Sequence, residues 1–210
     1  SYVHVSAIGA DARSHSRYGR SKAEGEQAVL AEFPGAVILR PSLVFGPEDQ
    51  LFNRFARLAA LTPIMPVICG GTRFEPVYVG DLATAIVAAL DGHARPGTVY
   101  ELGGPETVTM RDLLCRTLAY SGRTRMLMTL PVWLAKLQAV LSKPLPLALR
   151  PFTLDQVRML EADNVVAEAA CSQGRTLEAL TATAPQSMEA IVPGYLERFK
   201  PRGQFAHYRG

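Results

Sequence analysis

Long apolar runs are what this 210-residue chain most lacks. Its apolar stretches are interrupted well short of the roughly 20 residues a membrane-crossing helix needs, so no transmembrane span is expected. Cysteine is scarce. Cys69, Cys115 and Cys171 lie far apart and are odd in number, which suggests neither a disulfide framework nor a metal site. His4, His15, His93 and His207 are equally scattered, and no metal is expected. A strong charge of either sign is missing too. The net charge is +3 with Lys and Arg dispersed, which argues against a nucleic-acid surface. The Arg-containing C-terminus still suits an acidic partner or a lipid headgroup. The opening Ser1-Tyr2-Val3-His4-Val5 has neither a basic n-region nor a long apolar h-region, so no signal peptide is expected. It has no initiating Met and begins in what reads as a strand, so the chain is expected to be a fragment lacking its N-terminal half.

What is present alternates between strand and helix patterns. Tyr2 to Ser6 reads as a short strand and Tyr18 to Phe33 as a helix ended by Pro34-Gly35. Ala36-Val37-Ile38-Leu39-Arg40 suits a buried parallel strand. A loop with two prolines follows, then a helix from about Gln50 to Leu61, a short strand or turn over Pro63 to Cys69, and a strand over Phe74 to Val79. Asp81 is expected to N-cap the next helix. Thr98 to Leu102 is strand-like, and Thr109 with Asp112 makes a capping-box-like helix start. Beyond this, only helical patterns continue. Leu130 to Leu149 is apolar, Thr153 and Gln156 mark another helix start, and Pro193-Gly194 is expected to split the last pattern into two short helices. This order predicts an α/β fold, a Rossmann-type parallel sheet over 1–122, with a smaller, mostly helical C-terminal lobe over 123–210.

The chemistry centres on Tyr18-Gly19-Arg20-Ser21-Lys22. Tyr and Lys four apart on a helix share one face. An ammonium near a phenol favours the phenolate, and an acidified Tyr can exchange a proton with a carbonyl or hydroxyl. Ser6, twelve residues upstream at the end of an apolar run, could hold that oxygen. Taken alone, the spacing equally suits an ordinary helix surface. Of the seven tyrosines, only Tyr18 has a Lys four residues on and closely follows a strand-like segment.

Ser6, the Tyr18–Lys22 pair, Leu39-Arg40-Pro41-Ser42-Leu43-Val44-Phe45-Gly46-Pro47 and Pro76-Val77-Tyr78-Val79-Gly80-Asp81 resemble, as an ordered set, the extended and atypical short-chain dehydrogenase/reductases. Thr72 to Asp81, Tyr100 to Pro105, Leu154 to Leu160 and Asp163-Asn164-Val165-Val166 are similar to the branch containing the NADPH-binding accessory subunit of respiratory complex I. The resemblance implies that Tyr18 transfers the proton, that Lys22 bonds the nicotinamide ribose and lowers the Tyr pKa, and that Ser6 positions the substrate oxygen. It implies that Pro41, Ser42, Leu43 and Val44 pass beside the nicotinamide. Asn53, Arg54 and Arg73 are polar candidates on the substrate side. The cofactor implied is NADP or NAD, with NADPH favoured. The family's glycine-rich phosphate loop has no counterpart here, since Gly70-Gly71 and Gly103-Gly104 are isolated pairs that read as turns.

Two functions follow from the resemblance. One is an NAD(P)-binding subunit associated with respiratory complex I, holding NADPH without turnover. The other is an active NAD(P)-dependent oxidoreductase or epimerase acting on a carbonyl or sugar-nucleotide substrate. The first implies complex I subunits as partners and a cytoplasmic location, peripheral on the inner membrane's cytoplasmic face. The Leu130–Leu149 stretch could face a partner or a membrane, or form lobe core.

Overall fold

The structure is a computed structural model that describes residues 2–142 and 152–201. In chain order it runs β1 (Val3–Val5), α1 (Arg17–Glu32), β2 (Val37–Pro41), β3 (Val44–Phe45), α2 (Leu51–Leu61), β4 (Ile64–Val67), β5 (Arg73–Phe74), β6 (Val77–Tyr78) and α3 (Val79–Leu90). It continues with β7 (Val99–Leu102), β8 (Val108–Thr109), α4 (Met110–Tyr120), β9 (Met126–Thr129), α5 (Val132–Leu141), α6 (Leu154–Met159), α7 (Glu168–Ser172), α8 (Leu177–Thr181) and α9 (Met188–Leu196).

The α/β class is as expected. β1, β2 and β7 form a parallel sheet in the order β1-β2-β7, with Val3 opposite Val37 and Ile38 opposite Val99. β2 is the central strand, and its Val37-Ile38-Leu39 run is buried on both faces, as parallel strands under helices are. α3 and α8 cover one face, with Leu82, Ala85, Leu177 and Leu180 packed against Leu39, Tyr100 and Leu102. A second core lies among α2, α4 and α9, where Phe45, Phe52, Leu113, Met188 and Leu196 are fully buried. Segments on both sides of residue 122 therefore share the cores, and β9 adds a parallel partner to β4.

An ion pair fixes α1 onto the sheet. Arg40 of β2 donates from Nε and Nη2 to the two oxygens of Glu26 at 2.8 and 2.6 Å, a bidentate fork in which Glu26 is almost wholly buried. Glu101 of β7 stands 3.8 Å from the same guanidinium. These contacts hold α1 in register with β2 and β7.

The backbone differs from the sequence expectation in three places. Phe74 to Val79 is not one strand: two short strands flank Glu75-Pro76, and α3 begins already at Val79. Asp81 therefore does not cap it. Tyr78 occupies that place, and the Asp81 carboxylate accepts instead from the Gln186 amide at 2.7 Å. Pro193 does not divide the last helix either. α9 runs through it, because Met188, Val192 and Leu196 bury one continuous stripe on either side of the proline. Of the apolar Leu130–Leu149 stretch, α5 is helical, and the part from residue 143 lies outside the described residues. No helix among the described residues is long and apolar enough to cross a membrane.

Of the two glycine pairs, Gly103-Gly104 is required by close packing. A Cβ on Gly104 would stand 1.8 Å from the Pro76 carbonyl oxygen, so this position admits two backbones only because it has no side chain. Its amide donates to Glu75 O at 3.0 Å.

Candidate functional site

The candidate residues converge where β1 and β2 end. Ser6 immediately follows β1, and its amide donates to Leu39 O at 2.7 Å. The side chain is buried and its Oγ has no hydrogen-bond partner. Two residues on, the Ile8 amide donates to Pro41 O at 3.0 Å, which ties the loop after β1 to the end of β2.

Ser16 starts α1 by accepting from the Gly19 amide at 2.8 Å, and Tyr18 stands in the first turn. Gly19 is required there, because a Cβ would meet Ser14 Oγ at 2.6 Å and the Gly9 carbonyl at 2.9 Å. Lys22 lies one turn further, as the four-residue spacing predicts. Its Nζ donates to Val5 O at 3.1 Å and stands 5.8 Å from the Tyr18 ring centroid. The ammonium thus joins the end of β1, next to Ser6, to the face that carries Tyr18.

The Tyr18 hydroxyl departs from expectation in one respect. Burial raises its pKa above the ordinary value of 10.0 rather than lowering it. Tyr18 is half-buried, and burial disfavours the charged phenolate.

The loop from Pro41 to Val44 borders the same end of the sheet. Pro41 is the last residue of β2, the Ser42 amide donates to Leu102 O at 2.9 Å, and Leu43 O accepts from Val77 at 2.9 Å. Ser42 Oγ stands 2.7 Å from both the main-chain oxygen and Oδ1 of Asn164, and accepts from the Glu75 amide at 3.2 Å. Asn164 Nδ2 in turn donates to Ile8 O at 3.1 Å. One asparagine therefore spans the loop after Ser6 and the loop containing Ser42. Glu75 accepts from Val166 N at 3.0 Å and Thr107 Oγ1 at 3.0 Å, which anchors the segment containing Asn164.

The substrate-side candidates are placed differently. Asn53 is buried in α2; its Nδ2 donates to Pro47 O and Asp49 O at 3.1 and 3.0 Å, and its Oδ1 accepts from Arg198 at 2.5 Å. Its hydrogen-bonding capacity is spent on joining α2 to the chain after α9. Arg54 stacks its guanidinium 5.4 Å from the Phe152 ring centroid. Arg73 pairs with Asp163 at 2.7 Å on the surface. None of the three is brought to Tyr18 by a described contact.

Sequence reasoning missed two residues that touch the site's frame, Asn164 and Asp155. Asp155 accepts from the Arg17 and Tyr18 amides at 2.6 and 3.1 Å. Both stand in segments whose wording matches the family branch, and that wording was the available signal. No local spacing assigns them a role.

A parallel sheet, a Tyr–Lys pair on the helix after β1 and a serine at the strand's C-terminal end define a short-chain dehydrogenase/reductase-like domain. The family model described as the RmlD substrate binding domain matches residues 10–152, and the chain belongs to that family. Among curated relatives, the mitochondrial NADH dehydrogenase (ubiquinone) 1 alpha subcomplex subunit 9 of Arabidopsis thaliana is 39% identical over 178 residues, 80% of this chain and 44% of that protein. Ceramide reductase of Caulobacter vibrioides is 38% identical over 87 residues, 41% of this chain and 27% of that protein. The chain spans less than half the length of these relatives. Among solved structures, an NADPH-dependent quinone oxidoreductase from Escherichia coli in complex with NADPH superposes with a TM-score of 0.70 at 19% identity, over 92% of this chain and 64% of that one. A dTDP-glucose 4,6-dehydratase from Bacillus anthracis in complex with NAD gives 0.64 at 17% identity, over 92% and 60%. These likenesses establish a Rossmann-type fold.

Proposed function

We propose that this chain forms the nicotinamide-side part of an NAD(P)-binding protein that holds NADPH and associates with respiratory complex I. The observation that carries the cofactor reading is the meeting of Tyr18, Lys22 and Ser6 at the end of β1, beside the Pro41–Val44 loop. The residues suit the nicotinamide and its ribose. Lys22 has three N–H donors and uses one on Val5 O, which leaves two for ribose hydroxyls. Main-chain groups of Pro41, Ser42, Leu43 and Val44 border the place for the carboxamide. The buried, unpartnered Ser6 hydroxyl is an available donor. When bound, the cofactor supplies hydride chemistry. The pyrophosphate has no glycine-rich loop in this sequence to receive it, so these residues account for one half of the cofactor only.

Association with complex I is supported by the names of the most similar relatives and by an apolar face. Trp133, Leu137 and Leu141 of α5 lie exposed at helical spacing, and Met126 and Met128 of β9 are exposed as well. Such a protein would lie at the cytoplasmic face of the inner membrane without crossing it.

A second reading is an active NAD(P)-dependent oxidoreductase or epimerase, favoured by the complete Tyr-Lys-Ser set. In it, Tyr18 exchanges a proton with the substrate oxygen and Ser6 holds that oxygen. Asn53 and Arg73 add little to this reading, since both already have partners. The full chain incubated with NADPH and a panel of carbonyls and quinones separates the two. Retained NADPH without turnover is the expected result for a holding subunit. Turnover abolished by Tyr18→Phe establishes the enzyme, and the absence of both retention and turnover, with NADPH and with NADH alike, overturns both.

A further inference from the structure

The first turn of α1 is completed by a residue from far downstream. A helix leaves its first N–H groups without intrahelical partners. In α1, Ser16 Oγ takes the Gly19 amide. The two amides ahead of it, Arg17 and Tyr18, donate to the two carboxylate oxygens of Asp155 at 2.6 and 3.1 Å. A negative charge there is further favoured by the helix dipole. Asp155 stands in the first turn of α6, whose own start is fixed by the Thr153–Gln156 capping box. The segment beyond it is pinned by Lys136 to Glu161 at 2.7 Å, by Arg73 to Asp163 at 2.7 Å, and by Asn164 to Ile8 and Ser42. The carboxylate is therefore a fixed point against which the turn carrying Tyr18 is set. It touches the Tyr18 main chain and acts on the hydroxyl only through the backbone.

We propose that Asp155 is a positioning residue for Tyr18, holding the first turn of α1 so that the phenol faces the nicotinamide side of the site. The inference rests on the NADPH-binding reading for its functional consequence, although the placement of the ring is measurable without cofactor. Asp155→Asn keeps the size but presents an NH2 group to one of the two amides, so one hydrogen bond is lost and the turn shifts.

The test uses the full chain and two readouts. In the first, the ring resonances of Tyr18, assigned by their absence in Tyr18→Phe, are recorded by NMR for wild type and Asp155→Asn without cofactor. Asp155→Asn is expected to move them while the other tyrosine resonances stay in place. In the second, NADPH is titrated by its nicotinamide fluorescence. Asp155→Asn is expected to weaken binding roughly tenfold, the scale of one charge-assisted hydrogen bond. In the Tyr18→Phe background the same substitution should cost less than about twofold, because residues acting through one another are not additive. An unmoved Tyr18 ring overturns the proposal, and so does an equal loss of NADPH in both backgrounds, which would mark Asp155 as a helix cap only. If wild type takes up no NADPH, the cofactor reading fails, and the Tyr18 resonances alone decide the positioning role. Should Asp155→Asn not fold, Asp155→Ser, which keeps one acceptor without the charge, takes its place with the same expectations.

Discussion

The core among α2, α4 and α9 and the end of the three-stranded sheet treat polar groups in opposite ways. In the first region every named polar side chain is spent. Asp49 accepts from Phe52 N at 2.6 Å and from the Tyr195 hydroxyl at 2.5 Å, Asn53 uses both ends of its amide, and Thr117 and Ser121 donate back to carbonyls of α4. In the sheet region, Ser6 Oγ at the end of β1 and His4 Nε2 beneath α1 are the buried side-chain polar atoms that lack partners among the described residues. Buried polar groups are normally hydrogen-bonded, so an exception calls for an explanation. Saturated chemistry belongs to the part that holds the fold together. An unspent hydroxyl lies at Ser6, beside the Tyr18–Lys22 pair of the proposed site.

That contrast can be broken in order of effect. The largest change is expected from Phe52→Ala, which empties a fully buried position in the second core and should cost about 3–5 kcal/mol in denaturant unfolding. NADPH binding by the remaining folded protein should be unchanged; a loss there would mean that the two regions are not separate. Glu26→Gln comes next. It removes the charge and one of the two acceptors that face Arg40, whose pKa is raised chiefly by its hydrogen bonds to Glu26. The expected cost is about 2 kcal/mol, below that for a fully buried pair because Arg40 keeps Glu101 nearby. Since the pair fixes α1 to β2, NADPH affinity should fall with stability in this variant alone of the stability mutants.

Ser6→Ala should do the reverse of Phe52→Ala. The hydroxyl has no partner to lose, so the unfolding free energy should change by no more than about 0.5 kcal/mol. NADPH-dependent turnover, if present, should drop. A marked destabilisation would mean that Ser6 is an ordinary core residue. The smallest effect concerns pH. Hydrogen bonds from Thr109 lower the pKa of Asp112 below the ordinary value of 3.8. The folded state thus binds this proton less readily than the unfolded chain does. The capping box contributes fully above the unfolded pKa, and its contribution fades as pH falls through the lower folded value. Acid melts of wild type and Asp112→Asn should therefore converge at the acid end of the scan, and a gap that persists there would deny the charge any part in the cap.

The residues that pattern locally were legible before the structure. The buried run Val37 to Leu39, the Tyr18–Lys22 spacing and the Thr109–Asp112 and Thr153–Gln156 boxes each depend on neighbours within one turn or one strand, and each is found as expected. What was not legible depends on partners distant in sequence. Asp81 has the right type for a cap, but its acceptor role goes to Gln186, 105 residues away. Pro193 is a helix breaker by composition, yet the stripe it interrupts is buried on both sides. Asn53 looks like a surface polar group until Arg198 and the Pro47 carbonyl surround it. β9 pairs with β4 across most of the chain's middle, and its Met-rich sequence does not announce a strand. The same holds for the substrate-side candidates: polarity is visible in a sequence, whereas the partner a polar group finds in the fold is not.

The carboxylate that closes the first turn of α1 also sets an order of assembly. Arg17 and its acceptor are separated by 138 residues. At synthesis rates of about 5–20 residues per second, roughly 7–28 s pass after Arg17 is joined before Asp155 exists. Throughout that interval α1 can form its later turns, anchored by Glu26 to Arg40, while the two amides beside Tyr18 have only water to bond. The turn carrying Tyr18 thus waits for a distant segment, just as the sheet waits for Leu177 and Leu180 of α8 and the second core for Met188 and Leu196 of α9.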